Sequence, residues 1–280
     1  MDAYRAMPLE IKPKLPLSEA FQQILAECIR HVGGNAALVT TNSKAVHQMR
    51  VSLRRTRSAI ALFKPHLDSS ERKVLNQQMR DLGNTLSSSR DWDVFIDETL
   101  PRVQKQIPLD DQAVTDMRSQ ATQRRLENDL TGVETTWQTI SERLRSLNMV
   151  GDDVDEAIED IAPDLLGKEA RRVRRCIKHI ETPEQRHSLR KAMKRLRYSA
   201  EFLESLYRHK AVMHYLDRCK DCHDVLGQMN DNATTIKLCR ELDNEASHRI
   251  IELVERQEAQ AIRHLAEPLG KYRSTKPYWH

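Results

Sequence analysis

The sequence predicts an all-α protein built from an internal duplication, and three observations carry that reading. The 280 residues hold only 8 Gly and 10 Pro, with aromatic residues at 5%. That is too few turn, β-branched and aromatic positions for the many hairpins of an all-β chain of this length. Apolar residues make up 39% and recur at helical spacing, enough to give each amphipathic helix a buried face. Finally, a set of charged residues reappears at one fixed offset.

Taken in order, the periodicity predicts helices at roughly 17–32, 43–64, 69–86, 90–105, 110–130 and 132–147. A second series follows at roughly 153–181, 184–208, 210–228, 230–244 and 246–267. Pro183 after Thr182 is a helix start, with Thr as cap and Pro in the first turn. Ser87, Ser88 and Ser89 ahead of Arg90 and Asp91 predict a stop and a recapped start. The stretch Leu147 to Asp153, with Gly151, divides the chain into repeats 15–149 and 153–265, followed by a tail at 266–280.

The N-terminal stretch MDAYRAMPLEIKPKLPLSEA lacks the apolar run of a secretory signal, and no window approaches the apolar length of a spanning helix. A cytoplasmic location away from membranes is the expectation. Cys28, Cys176, Cys219, Cys222 and Cys239 are odd in number and without framework spacing, as reduced thiols would be.

His47, Arg50, Arg55, Arg57, Asp81, Leu86 and Asp91 reappear as His187, Arg190, Arg195, Arg197, Asp221, Leu226 and Asp231, every pair 140 apart. Arg54 and Lys194 keep the offset with charge retained, and Met49/Leu189, Leu53/Met193, Leu62/Phe202 and Phe63/Leu203 keep it with apolarity retained. A shared hydrophobic period would explain the apolar matches. It does not explain a His and three Arg in register, which point to duplication.

At about 100° per residue, His47, Arg50, Arg54 and Arg57 form one stripe along a helix, adjacent to a core face of Met49, Leu53, Thr56 and Ile60. His187, Arg190, Lys194 and Arg197 take the same angles in the second half, over Leu189, Met193, Leu196 and Ala200. A solvated helix face normally alternates acids with bases, because like charges four apart destabilise the helix. Residues 47–57, 168–178 and 186–197 instead carry 16 Lys or Arg and one acid, while the rest of the chain carries 29 bases and 40 acids. The net charge of +4 is therefore an acidic scaffold bearing a concentrated cationic site. Guanidinium groups fork phosphate oxygens and stay charged at physiological pH, so the natural partner is a phosphate polyanion. The histidines, lowered in pKa by neighbouring cations, would be neutral and would donate one hydrogen bond to a phosphate.

The segments H-x-x-R-x-x-x-R-R-x-R at 47–57, HSLRKAMKRLRY at 187–198 and DVLGQMND at 224–231 resemble the CHAD domain, the conserved histidine α-helical domain. The likeness spans roughly residues 15–265, and the first half departs from it at Leu86 to Asp93, LSSSRDWD, where the family reads closer to LGxxxDxxV. The resemblance implies two antiparallel four-helix bundles related by a pseudo-twofold, with a basic groove or pore that binds inorganic polyphosphate. It also implies targeting to polyphosphate granules and no catalysis. The residues expected to bind are His47, Arg50, Arg54, Arg55, Arg57, Arg171, Arg174, Arg175, Lys178, His187, Arg190, Lys191, Lys194, Arg195, Arg197 and Tyr198. Those of 171–178 would extend the same surface.

Nucleic acid is the alternative partner for the same ridges. Binders of single strands interleave aromatic residues for base stacking, and only Tyr198 lies in these stripes, so a polymer without bases fits better. Cys219-x-x-Cys222-His223 matches a haem-attachment pattern that needs export; it aligns with Met79 and Leu82 and reads as core. No four-ligand zinc spacing, Gly-rich phosphate loop, nucleophile elbow or H-E-x-x-H is present, nor the E-x-E-x-K strand of the triphosphatase domain that accompanies CHAD domains. Asp81, Asp91, Asp221 and Asp231 would cap helices or orient Arg side chains; used with Mg²⁺, they are the one opening for a phosphohydrolase. A scaffold gripping an acidic protein is the least specific reading. No cofactor, metal or catalytic residue is expected.

Overall fold

In a computed structural model that describes residues 2–279, the predicted amphipathic segments are helical. They are α1 (Leu17–Ala36), α2 (Ser43–Leu62), α3 (Ser69–Val94), α4 (Leu100–Gln104), α5 (Asp111–Leu126), α6 (Val133–Arg145), α7 (Ile158–Cys176), α8 (Pro183–Phe202), α9 (His209–Leu242), α10 (Glu245–His264) and α11 (Ala266–Ser274). The offset of 140 is kept by the elements themselves. Helices α2 and α8 share both ends at that offset, 3₁₀ turns follow at Lys64–His66 and Glu204–Leu206, and α3 and α9 start in register.

In the first half α1, α2, α3 and α6 form a ring in which each packs on two others; in the second, α7, α8 and α9 pack in sequence and α11 closes on α9. Short connections make successive helices antiparallel. The two bundles meet where α2 packs on α8, and one continuous core fills both. Each fully buried aliphatic side chain there, such as Leu53 or Leu196, contributes about 1.5–3 kcal/mol. A second core sits beyond the bundles, where Trp92, Phe95, Leu100 and Met117 of the first half meet Leu238, Ile250 and Val254 of the second. It forms because α3 and α9 overshoot their bundles and carry α5 and α10 with them. The repeat boundary is therefore not a core boundary.

The connection between halves is tied down. Val150 N donates to His66 O at 2.8 Å, Leu17 N to Glu156 O at 2.9 Å and Ile158 N to Leu15 O at 2.8 Å. Gly151, at φ +120°, takes a conformation closed to other residues. Thr182 and Gln185 form a full capping box at the start of α8, as the Thr-Pro signal predicts.

Three expectations are corrected. The serines at 87–89 do not break the chain: α3 runs through them, because the Ser87 hydroxyl donates to Gly83 O at 2.7 Å and satisfies itself inside the helix. A π-helical turn at Phe95–Thr99 follows, directly ahead of Pro101, which has no N–H to continue a regular ladder. The separate helices at 210–228 and 230–244 are one, α9, which ends where Asp243 turns left-handed at φ 45° and Asn244 caps α10. Residues 266–279 are not a loose tail: Leu269, Tyr272 and Trp279 are buried, and Tyr215 Oη meets Tyr272 Oη at 2.9 Å within a cluster of edge-on aromatic rings.

Candidate functional site

Asn42 caps α2 by accepting from Lys44 N and Ala45 N, and Met49, Leu53, Thr56 and Ile60 are buried. Leu189, Met193, Leu196 and Ala200 bury the matching face of α8. With both core faces fixed, the adjacent cationic stripes have no freedom of direction. They meet where α2 packs on α8: Arg54 lies within electrostatic reach of both Arg190 and Lys194, and Arg50 within reach of Arg190. These four residues are two pseudo-equivalent pairs, and they form the centre of the site.

The walls come from α3 and α9. Arg50 Nη1 donates to Asp91 Oδ1 at 3.2 Å, and Arg190 Nη1 donates to Asn230 Oδ1 at 3.2 Å. Burial, followed by the neighbouring cations, lowers the pKa of Lys194 from 10.5 to about 6, which favours the neutral amine at pH 7. Burial likewise pushes His223 down to about 4, with Lys194, Arg197 and Arg190 adding to it. His47 and His187 are also lowered, first by burial and then by their own halves' cations: Arg90, Arg54 and Arg50 around His47, and Lys191, Arg190 and Lys194 around His187. Each histidine thus marks one end of the site. The buried Nε atoms of Arg54, Arg57, Arg90 and Arg190, and Nε2 of His223, have no hydrogen-bond partner. Such convergent unpaired donors are costly, and an anion with several oxygens would satisfy them.

Several expected residues lie elsewhere. Arg55 is buried, ion-paired with Glu201 and stacked 5.0 Å from the Phe202 ring centroid. Its counterpart Arg195 is ion-paired with buried Glu169 and donates to Ala61 O at 3.2 Å. One residue along a helix is a 100° turn, which carries these two arginines off the stripe and into the packing. Tyr198 is 3% exposed and receives Arg55 and Arg197 over its ring, at 5.4 and 5.1 Å. It offers no stacking surface. Arg197 also pairs with Glu201 at 3.3 Å. Arg171, Arg174, Arg175 and Lys178 line an open cleft of about 430 Å³ on α7, and of these Arg175 also borders a cleft with Arg195 and the end of α2 at Ala61 and Leu62. Lys191 is exposed near His187.

Other residues were missed. Arg80 and Gly83 join Arg50, Arg54 and Arg57 around a cleft of about 140 Å³, and Arg90 stands beside His47. The offset of 140 could have found them: Gly83 aligns with His223, and Arg90 with Asn230. The absent side chain at Gly83, where a Cβ would meet nothing within 4 Å, leaves the first-half cleft open where the second half is filled by imidazole. Of the recurring acids, Asp91 orients an arginine as expected, and Asp231 lies within electrostatic reach of Arg190. Asp221 pairs with an arginine within its own helix, Arg218 at 3.2 Å, and Asp81 instead accepts from Gln77 at 2.8 Å. Cys219 and Cys222 are buried, as expected of core, and burial raises the thiol pKa of Cys222 to about 12. Among the described residues no group of three His, Cys, Asp or Glu is placed to hold a metal ion. Among the described residues no helix is long and apolar enough to cross a membrane.

Comparison with known proteins agrees with this architecture. The structure is similar to the crystal structure of the CHAD domain from the plant Ricinus communis, at 24% identity, covering 98% of each chain with a TM-score of 0.81. It is also similar to PptA from Streptomyces chartreusis, at 12% identity, covering 92% of this chain and 99% of that one, with a TM-score of 0.68. A search of curated protein sequences gives no match. The CHAD domain family model matches residues 23–240, which include both stripes and both walls. The chain belongs to the CHAD domain family, whose members are associated with polyphosphate binding or metabolism.

Proposed function

We propose that the chain binds inorganic polyphosphate along the α2–α8 stripes, without cleaving it, and that such binding would hold it on polyphosphate granules. The reading rests on one observation: half-buried cations of α2 and α8 lie within electrostatic reach of one another, and the Nε donors of Arg54 and Arg190 among them have no hydrogen-bond partner. A phosphate oxygen restores each missing hydrogen bond, and the charge it brings draws a proton back to Lys194. The donors are strung along helices rather than closed into a pocket, which suits a linear polymer. The contributing set is His47, Arg50, Arg54, Arg57, His187, Arg190, Lys191, Lys194 and Arg197, joined by Arg80, Arg90 and His223. Arg55, Arg195 and Tyr198 support it from behind.

Titrating long-chain polyphosphate at several salt concentrations tests this. Affinity should fall steeply with salt, since each neutralised phosphate releases counterions. It should vanish when Arg50, Arg54, Arg190 and Lys194 are changed to Glu; an unaffected variant overturns the proposal. DNA or RNA competing at equal phosphate concentration would favour the nucleic-acid reading, and release of orthophosphate by the pure protein would overturn the non-catalytic one.

A further inference from the structure

The two ends of the stripe differ in charge. Around His47 stand Lys44 and Arg90; at the same offset around His187 stand Glu184 and Asn230, with Lys191 in place of Val51 as the one added cation there. The pseudo-symmetry that repeats the central cations is broken at the ends. A further cation reaches the His47 end from outside the repeat. The N-terminal segment runs along α1 as a strap, with Tyr4 N donating to Asn35 Oδ1 at 3.1 Å and Asn35 Nδ2 donating back to Tyr4 O at 3.1 Å. Arg30 Nη2 donates to Arg5 O at 2.9 Å. Gly34 permits this approach: a Cβ there would come within 2.5 Å of the Tyr4 ring. The strap delivers Arg5 to a cleft of about 440 Å³ whose lining includes Lys44, His47, Gln48 and Arg90, with Asp2 as the acid on its rim. Arg90 donates to Glu98 at 3.0 Å through Nη2, which leaves its buried Nε without a partner.

Resting on the polyphosphate reading above, we infer that the His47 cleft is an end-group site that takes the terminal phosphate of a chain, so that the polymer binds in one direction. An internal phosphate of the polymer carries one negative charge. A terminal phosphate carries a second once pH exceeds its second pKa, about 6 for a phosphomonoester. The end with Arg5, Lys44 and Arg90 matches the doubly charged terminus. The end with Glu184, Asn230 and one added lysine, Lys191, carries less positive charge and suits a chain passing through. The cleft should therefore also hold short oligophosphates, whose length is mostly terminus.

The test compares inorganic tripolyphosphate, long-chain polyphosphate with free ends, and chains of the same length with both ends blocked as esters, on the full protein and on the Arg5→Ala/Lys44→Ala variant. The Arg5 side chain is exposed and the residue is held through its backbone carbonyl, so its loss should leave folding intact. The expected result is that free-ended chains bind the wild type at least about tenfold more tightly than blocked ones, each lost charge-assisted contact being worth about that factor. The variant should lose this preference, and with it about tenfold or more of its tripolyphosphate affinity, while binding blocked long chains as before. Asn35→Ala, which frees the strap, should behave like loss of Arg5. Equal binding of free and blocked chains by the wild type, or a preference that survives in the double variant, overturns the end-group site alone. Failure of every long chain to bind overturns the polyphosphate reading and the end-group site with it.

Discussion

Lys194 lies within electrostatic reach of Arg54 where α2 meets α8, and neither makes a salt bridge among the described residues. The folded chain holds this ammonium's pKa at about 6 against 10.5. Between those values the unfolded state binds more protons, so this residue makes stability rise with pH through that window and weakens the fold at pH 7. Lys194→Met should therefore stabilise the free protein by about 1 kcal/mol, roughly 2–4 °C in Tm. It should also weaken polyphosphate binding about tenfold, the loss of one charge contact. Polymer binding should take up close to one proton at pH 8, read by calorimetry in buffers of different ionisation enthalpy, and affinity should increase as pH falls towards 6. No proton uptake by the wild type would contradict the geometry.

Arg195 neutralises buried Glu169 on the side of α8 away from the stripe. Arg195→Met strands that carboxylate, and urea denaturation should show a loss of about 3–5 kcal/mol. Polyphosphate affinity of the folded protein should change less than threefold. A large loss of affinity without loss of stability would return Arg195 to the binding surface.

Gly83→His places in the first half the side chain that the second half already carries as His223. Helix propensity favours the change by a few tenths of a kcal/mol, so Tm should hold or rise slightly. The imidazole would fill the cleft among Arg50, Arg54 and Arg57, and polyphosphate affinity should fall several-fold. Unchanged affinity would show that the polymer does not enter that cleft.

Trp279 packs edge-on against Tyr215, with ring centroids 5.0 Å apart, and its burial seats the C-terminal segment on the second bundle. Trp279→Ala should cost about 3–5 kcal/mol in thermal or chemical denaturation. A loss below about 1 kcal/mol would mean that the segment is a detachable tail after all.

Local physics explains what could be read early. Met49, Leu53 and Ile60 announce the buried face of α2 because helix period and burial are both local, and the stripe of Arg50 and Arg54 then follows by rotation. The same logic misjudged Ser87–Ser89, since a serine can cap a helix or bond back within one, and only the neighbouring turns decide which. It also could not place Arg171 to Lys178 relative to the stripes, because charge density on one helix says nothing about where that helix sits.

The sequence by itself determined an all-helical chain, its repeat at offset 140 and the two cationic stripes, because periodicity and register are properties of neighbouring residues. Only the tertiary structure decided that Arg54 faces Arg190 and Lys194 while Arg55 and Arg195 turn into the packing against Glu201 and Glu169. It also brought Arg5 beside His47. The reason is physical: which cations share a space, and which find a carboxylate, depends on how two helices pack far apart in the chain.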